Sequence, residues 1–220
     1  MRMHLLFVLA LSYILAGCVY SRGEIRLDAP VGTSTAPSTT QRGVVVIHSV
    51  KDERIFESNP TEPNIPSVGF GELSKATSDE LDRTVGRKRN GFGRALADVQ
   101  LQDGQTVAGV VRENLAVALQ QAGYQVKDEK SAGDSPIIID VHIKQFWAWI
   151  ERGAMAMSLN SHVSTSLDIS GAAASITIDA HANQSMAMAP DSAWAGIFEI
   201  ALVEYRAQVS SKIRAFMAAK

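Results

Sequence analysis

The densest run of positive charge in the chain is Arg83, Arg87, Lys88, Arg89 and Arg94. Cations at that spacing suit the phosphates of anionic lipid headgroups or lipopolysaccharide, or an acidic partner surface. The competing reading is a solvated loop balanced by Asp79, Glu80, Asp82 and Asp98 around it, on which Arg87→Ala leaves the melting temperature nearly unchanged. A second set of reactive side chains is thinner: His48, His142, His162 and His181, with Asp140, Asp168 and Asp179. Alternation allows the last three histidines to share one sheet face. Zinc needs three or four converging ligands and a supporting shell. Histidines this far apart on exposed strand positions read as surface polar residues, so no metal is expected.

Other chemistry fails on pattern. Gly91-Phe92-Gly93-Arg94-Ala95 has the look of a dinucleotide loop, but no strand directly precedes it. Gly86 to Gly91 has phosphate-loop spacing with Phe92 where the lysine must stand. No G-x-S-x-G elbow occurs. The expectation is therefore no catalytic residue, no cofactor and no enzyme. Met155, Met157, Met186 and Met188 alternate in two Ala/Met runs, which suits strand-end packing better than a lipid groove.

The N-terminus carries the clearest signal. Arg2 precedes an apolar run from Leu5 to Leu15 broken only by Ser12, then come Ala16, Gly17 and the single cysteine, Cys18. Eleven residues are too few to span a bilayer, which takes roughly 20, and they fit a secretory signal. Leu15-Ala16-Gly17-Cys18 resembles the lipobox of bacterial lipoproteins. That resemblance implies cleavage before Cys18, lipidation of Cys18 (palmitate among the chains), and a stable anchor at about 0.8 kcal/mol per buried CH₂. Val19 stands where inner-membrane retention typically has Asp, so the implied address is the periplasmic leaflet of the outer membrane.

The balance of the chain is ordinary: 220 residues, 46% hydrophobic, 20% charged and a net charge of −2, enough for a real core and no reason to bind nucleic acid. One cysteine excludes an intramolecular disulfide and any cysteine-cluster metal site. Residues 1–17 read as signal peptide, 18–42 as lipidated cysteine and Ser/Thr/Pro-rich tether, and 43–220 as one α+β domain. Within the tether, Glu24 to Asp28 alternates and is a candidate edge strand.

The elements that must position these groups follow from periodicity. Val44 to Ile47 is a β-branched run that wants both faces covered, by the Pro-rich 58–71 loop, the Ile25–Leu27 segment or another molecule. Residues 72–102 are ambiguous, with a weak helix over 72–85 and a glycine-broken basic stretch over 86–93. Thr106 to Ala122 is an amphipathic helix capped by Thr106 and closed by Gly123. Pro136 to Trp149, His162 to Ser170 and Ala174 to Asn183 alternate as strands, with Trp147 and Trp149 sharing the parity of Ile139 to Ile143. Ser192 to Met217 is a long closing helix. The expected fold is an α+β two-layer sandwich: a mixed or antiparallel sheet of about four to five strands with two amphipathic helices on one face.

Lipobox, tether, the strand entering Val50-Lys51-Asp52-Glu53-Arg54 and the helix ending Leu119-Gln120-Gln121-Ala122-Gly123-Tyr124-Gln125-Val126 together resemble the YajG-type bacterial lipoproteins. The resemblance implies an envelope address and this fold, and supplies no catalytic residues. On it the chain is a non-enzymatic interaction or assembly module, with the membrane and an envelope protein or a second copy as partners. The alternative is a carrier holding a lipid or glycan between sheet and helices.

Overall fold

A computed structural model describes residues 22–30, 42–69, 73–90, 92–153 and 156–218. Cys18 and its lipobox, the 31–41 stretch, Gly91 and Met155 lie outside them. Among the described residues, eight strands form one mixed sheet: β1 (Gly23–Ile25), β2 (Val44–Asp52), β3 (Thr84–Arg89), β4 (Ala95–Leu101), β5 (Gln125–Val126), β6 (Ile137–Arg152), β7 (Met157–Ile169) and β8 (Ile176–Met186). Three α-helices accompany them: α1 (Ser78–Arg83), α2 (Val107–Gln121) and α3 (Asp191–Ala218). This overturns the expected sandwich of four to five strands and two helices. The additions are β3, β4 and β5, which come from short or charged stretches with no readable period, and α1, which occupies part of the weak helix read over 72–85 but is not one of the two expected.

β6 is the spine. Along one edge it pairs antiparallel with β7 from Ile139↔Ile169 to Arg152↔Met157, and β7 pairs with β8. The other edge forks. β2 runs parallel to its first half, up to Asp52↔Ile143, and carries β5. β3 joins its second half at Gly86↔Ala148 and carries β4, then β1. Gly86 is required here, because a Cβ would stand 2.8 Å from the Trp194 ring and 2.9 Å from the Ala148 carbonyl.

Arg54 fills the fork. It is buried, and its guanidinium donates to the carbonyls of Thr84 (2.7 Å), Phe146 (3.0 Å) and Leu81 (2.8 Å) while pairing with Asp52. One planar donor fork thus satisfies backbone oxygens that separating strands cannot reach.

One side of the sheet carries the core. Ile139, Val141 and Phe146 of β6 meet Leu115 and Leu119 of α2 and Trp194, Phe198 and Tyr205 of α3 in a single buried cluster. Thr106 caps α2 by accepting from Gly109 N at 3.1 Å, and Ser210 ties α3 to α2 by donating to the Ala118 carbonyl. Ile25 and Leu27 also join the cluster, so a boundary at residue 43 divides residues that fold together.

Two bulges decide what faces the other, open side. His48 is the extra residue between Ile47↔Ile139 and Ser49↔Asp140, and Lys144 is the extra residue between Ile143↔Thr165 and Gln145↔Ser164. A bulge reverses parity beyond it. Phe146 and Ala148 therefore face the helices, and Trp147 faces away from Ile139, contrary to the uninterrupted alternation expected. Trp147 is still fully buried, because the Pro-rich loop lies over it: its indole donates to the Pro63 carbonyl at 3.0 Å and meets Phe56 edge-on at 6.2 Å.

Val46, on the same open side, is 2% exposed. Lys127 N donates to Val45 O and Glu129 stands 3.5 Å from His48, so the segment after β5 runs beside this end of β2. Val44, two residues earlier on the same side, is half-buried.

Candidate functional site

The chemistry-bearing side chains gather on the open side of the sheet, in two groups. At the fork's far branch, β3 and β4 form a hairpin whose tip is built by Asn90: its side chain accepts from Phe92 N and Arg94 N, and Gly93 takes a φ of 78°. Along β3 the basic residues divide. Lys88 points to the helix side and meets Asp191 at the start of α3 at 2.8 Å. Arg83, in the last turn of α1, donates to the Leu101 carbonyl and pairs with Asp79 and Asp103. Neither belongs to a shared patch.

Arg87, Arg89 and Arg94 do come together. They line a hollow of about 330 Å³ with Asn59, Pro60, Gly93 and Ala95, and among the described residues no carboxylate is in the lining. Arg87 is 4% exposed; Asp98, its cross-strand neighbour, stands 3.3 Å away in poor hydrogen-bonding geometry, and the Arg87 Nε has no acceptor among the described residues. Asp98 is itself held by Gly69 N at 3.0 Å. Arg89 donates to the carbonyls of Pro60 and Gly93 but leaves its own buried Nε unpaired among the described residues. Burial pulls both guanidinium groups below their ordinary pKa, with Arg87 adding to the effect at Arg89, and burial pushes the Asp98 carboxyl up. A neighbouring hollow of about 370 Å³ shares Arg89 and adds Arg152 and Glu151. The solvated loop of the competing sequence reading is thus a largely buried strand, with Arg87 set against Asp98.

The second group spans β2, β6, β7 and β8. His48 stands 2.8 Å from Asp140, which Ser49 also meets, because the bulge turns both residues to one partner. The Ser49 hydroxyl and then His48 hold the Asp140 carboxyl below the usual range, and Asp140 in turn raises His48. His142 is 2.7 Å from Glu53 and 3.3 Å from Asp168. Lys144, then His142, hold the Glu53 carboxyl down at about 2.

His162 and His181, directly opposite across β7 and β8, both aim Nε2 at Asp179, at 2.5 and 3.3 Å. Burial works to raise the Asp179 carboxyl, but the bonds from the two histidines outweigh it and hold it low. Gln208 of α3 fixes Asp179 by bonding its backbone N–H and carbonyl.

These three could converge on a cation, since their ligand atoms lie within 4.8 Å of one another. The rings, however, stack at 3.9 Å with planes only 21° apart. A metal lies in the plane of each imidazole it binds, and no point about 2 Å from both nitrogens lies in both of these planes. The arrangement is a shared carboxylate, and chelation requires one ring to turn.

Met157 and Met186 pair across β7 and β8, half-buried, while Met188 is exposed. Sequence reasoning grouped the five cations by proximity and missed the roof residues Asn59 and Pro60, the neighbouring Arg152, and the fork residue Arg54. No sequence signal reaches across those separations.

No family model and no curated protein matches the chain. Solved structures similar to it include one described as an uncharacterized protein, 10% identical over 90% of this chain and 99% of that chain with a TM-score of 0.45, and the hypothetical protein CT253 from Chlamydia trachomatis, 10% identical over 79% and 98% with a TM-score of 0.39. Likenesses at that level carry no functional conclusion. Among the described residues no helix is long and apolar enough to cross a membrane.

Proposed function

We propose that the chain is a lipid-anchored module of the bacterial envelope, held by acylated Cys18 in the periplasmic leaflet of the outer membrane, that binds a partner and does no chemistry on it. The observation that carries this reading is Leu15-Ala16-Gly17-Cys18 closing an apolar run, with Cys18 the only cysteine in the chain. The likeness to YajG-type lipoproteins belongs to the same proposal. The geometry supports binding at the open face, where polar and charged groups sit on strands and under a loop. A carrier with its ligand between sheet and helices is less well supported, since Phe146 and Phe198 stack there at 4.7 Å and Trp194 and Tyr205 are fully buried beside them.

Labelled palmitate and membrane fractionation test the anchor. Wild type takes up label and fractionates with outer membranes; Cys18→Ser does neither. A Ser variant that still fractionates as wild type does overturns the reading.

A further inference from the structure

Of the two open-face groups, the histidines have settled their hydrogen bonds among themselves and the arginines have not. The hollow under the Asn59–Pro60 turn is lined by three guanidinium groups and, among the described residues, by no carboxylate; the buried Nε of Arg89 has no acceptor among those residues, and that of Arg87 has only Asp98, 3.3 Å away in poor hydrogen-bonding geometry. Leaving a buried cation short of hydrogen bonds is costly, and placing a second one beside it adds repulsion. A bound group that relieves both must be anionic, must accept several hydrogen bonds at once, and must fit about 330 Å³. Guanidinium forks meet the oxygens of phosphate in paired, charge-assisted bonds. Phe92, at the tip of the same hairpin between Asn90 and Gly93, is 98% exposed.

We propose that the hollow bounded by Arg87, Arg89 and Arg94 of the β3–β4 hairpin and by Asn59 and Pro60 of the overlying loop is a phosphate-binding site. Arg87 and Arg89, anchored in β3, form its floor; Arg94 closes it from the exposed side. Lys88 and Arg83 take no part, being engaged with Asp191 and with Asp79 and Asp103. The site deepens the reading of this chain as a binding module by naming the ligand chemistry, and it rests on that reading only in taking the phosphate as recognised and left intact.

The full chain, purified in non-ionic detergent, is titrated calorimetrically with inorganic phosphate and, separately, with short-chain dihexanoyl phosphatidic acid. Wild type binds phosphate saturably. Arg94→Glu, an exposed position that leaves folding intact, weakens binding about tenfold or more, as does Arg89→Gln, while Arg83→Gln binds as wild type does. If the lipid binds about tenfold tighter than inorganic phosphate and Phe92→Ser abolishes the difference, the phosphate belongs to a lipid headgroup. If the two bind alike, it belongs to a soluble phosphate or phosphate ester. Either result supports the site. The absence of saturable phosphate binding by wild type overturns it, as does an unchanged affinity in Arg94→Glu and Arg89→Gln, or an equal loss in Arg83→Gln. Binding in detergent does not depend on acylation, so failure here leaves the anchor standing, and an unlabelled Cys18 leaves this site standing.

Discussion

The open face carries two charged regions built on neighbouring strands, and they have opposite characters. At the β3–β4 hairpin the charges are roofed by a loop, mostly of one sign and short of partners. Across β2, β6, β7 and β8 they are wetter, mixed in sign and matched, each histidine with a carboxylate within 3.3 Å. Burial separates the two. Water screens the histidine pairs and lets each form on its own terms, whereas the arginines were drawn under the loop along with β3 and could not choose their neighbours.

The sharpest way to break this contrast is to remove buried guanidinium groups and exposed pairs in parallel, by urea denaturation. The largest loss is expected for Arg54→Leu, which leaves the carbonyls of Leu81, Thr84 and Phe146 without their donor and Asp52 without its cation, at a cost of about 3–5 kcal/mol. Arg87→Ala should follow, at about 3 kcal/mol, by leaving Asp98 buried and unmatched; adding Asp98→Asn should recover part of that loss. His162→Ala should cost no more than about 1 kcal/mol, because Asp179 beside it is half in water. If the histidine variant is as damaging as Arg87→Ala, burial is not what divides the regions.

The smallest effect is electrostatic and is best read by carboxyl NMR rather than by stability. Glu53 should titrate near pH 2, and Lys144→Ala should move it back toward 4.5, since the Lys144 ammonium is its main support. Because the folded pKa is depressed, the stability linked to Glu53 is full above its unfolded pKa and is lost as pH falls through about 2. His48 runs the other way: its raised pKa contributes stability below its ordinary value of 6.5, lost as pH rises through the folded value. A Glu53 that titrates at 4.5 in wild type would remove the claim that the histidine region is matched in charge.

How much of this could be read in advance varies by element. α2 and α3 follow the apolar stripes of their sequences, Val107 to Leu119 and Trp194 to Ile213, since a helix repeats its pattern over many turns. β3 is Thr-Val-Gly-Arg-Lys-Arg and has no such repeat; it becomes a strand because β4 and β6 supply its hydrogen bonds and the Pro-rich loop covers its arginines. The facing of Trp147 was misread for a different reason: one extra residue at Lys144 reverses every side chain after it, and nothing local marks a bulge. The basic cluster was visible as five cations, but its division into two settled groups and three open ones depended on which side of β3 Arg87, Lys88 and Arg89 face and on where α1 and the hairpin turn place Arg83 and Arg94.

By itself, then, the sequence determined what depends on neighbours in the chain: the apolar segment ending at Cys18, two helix stripes, alternating strands and the composition of the basic run. Tertiary structure decided what depends on distant partners. Only the fold brings Arg54 to carbonyls from three other segments, sets His162 against His181 and Asp179, and lowers residues 59–60 over Arg87 and Arg89. Hydrogen bonding and desolvation act through space over a few ångströms, and a chain that folds back on itself makes those ångströms independent of residue number.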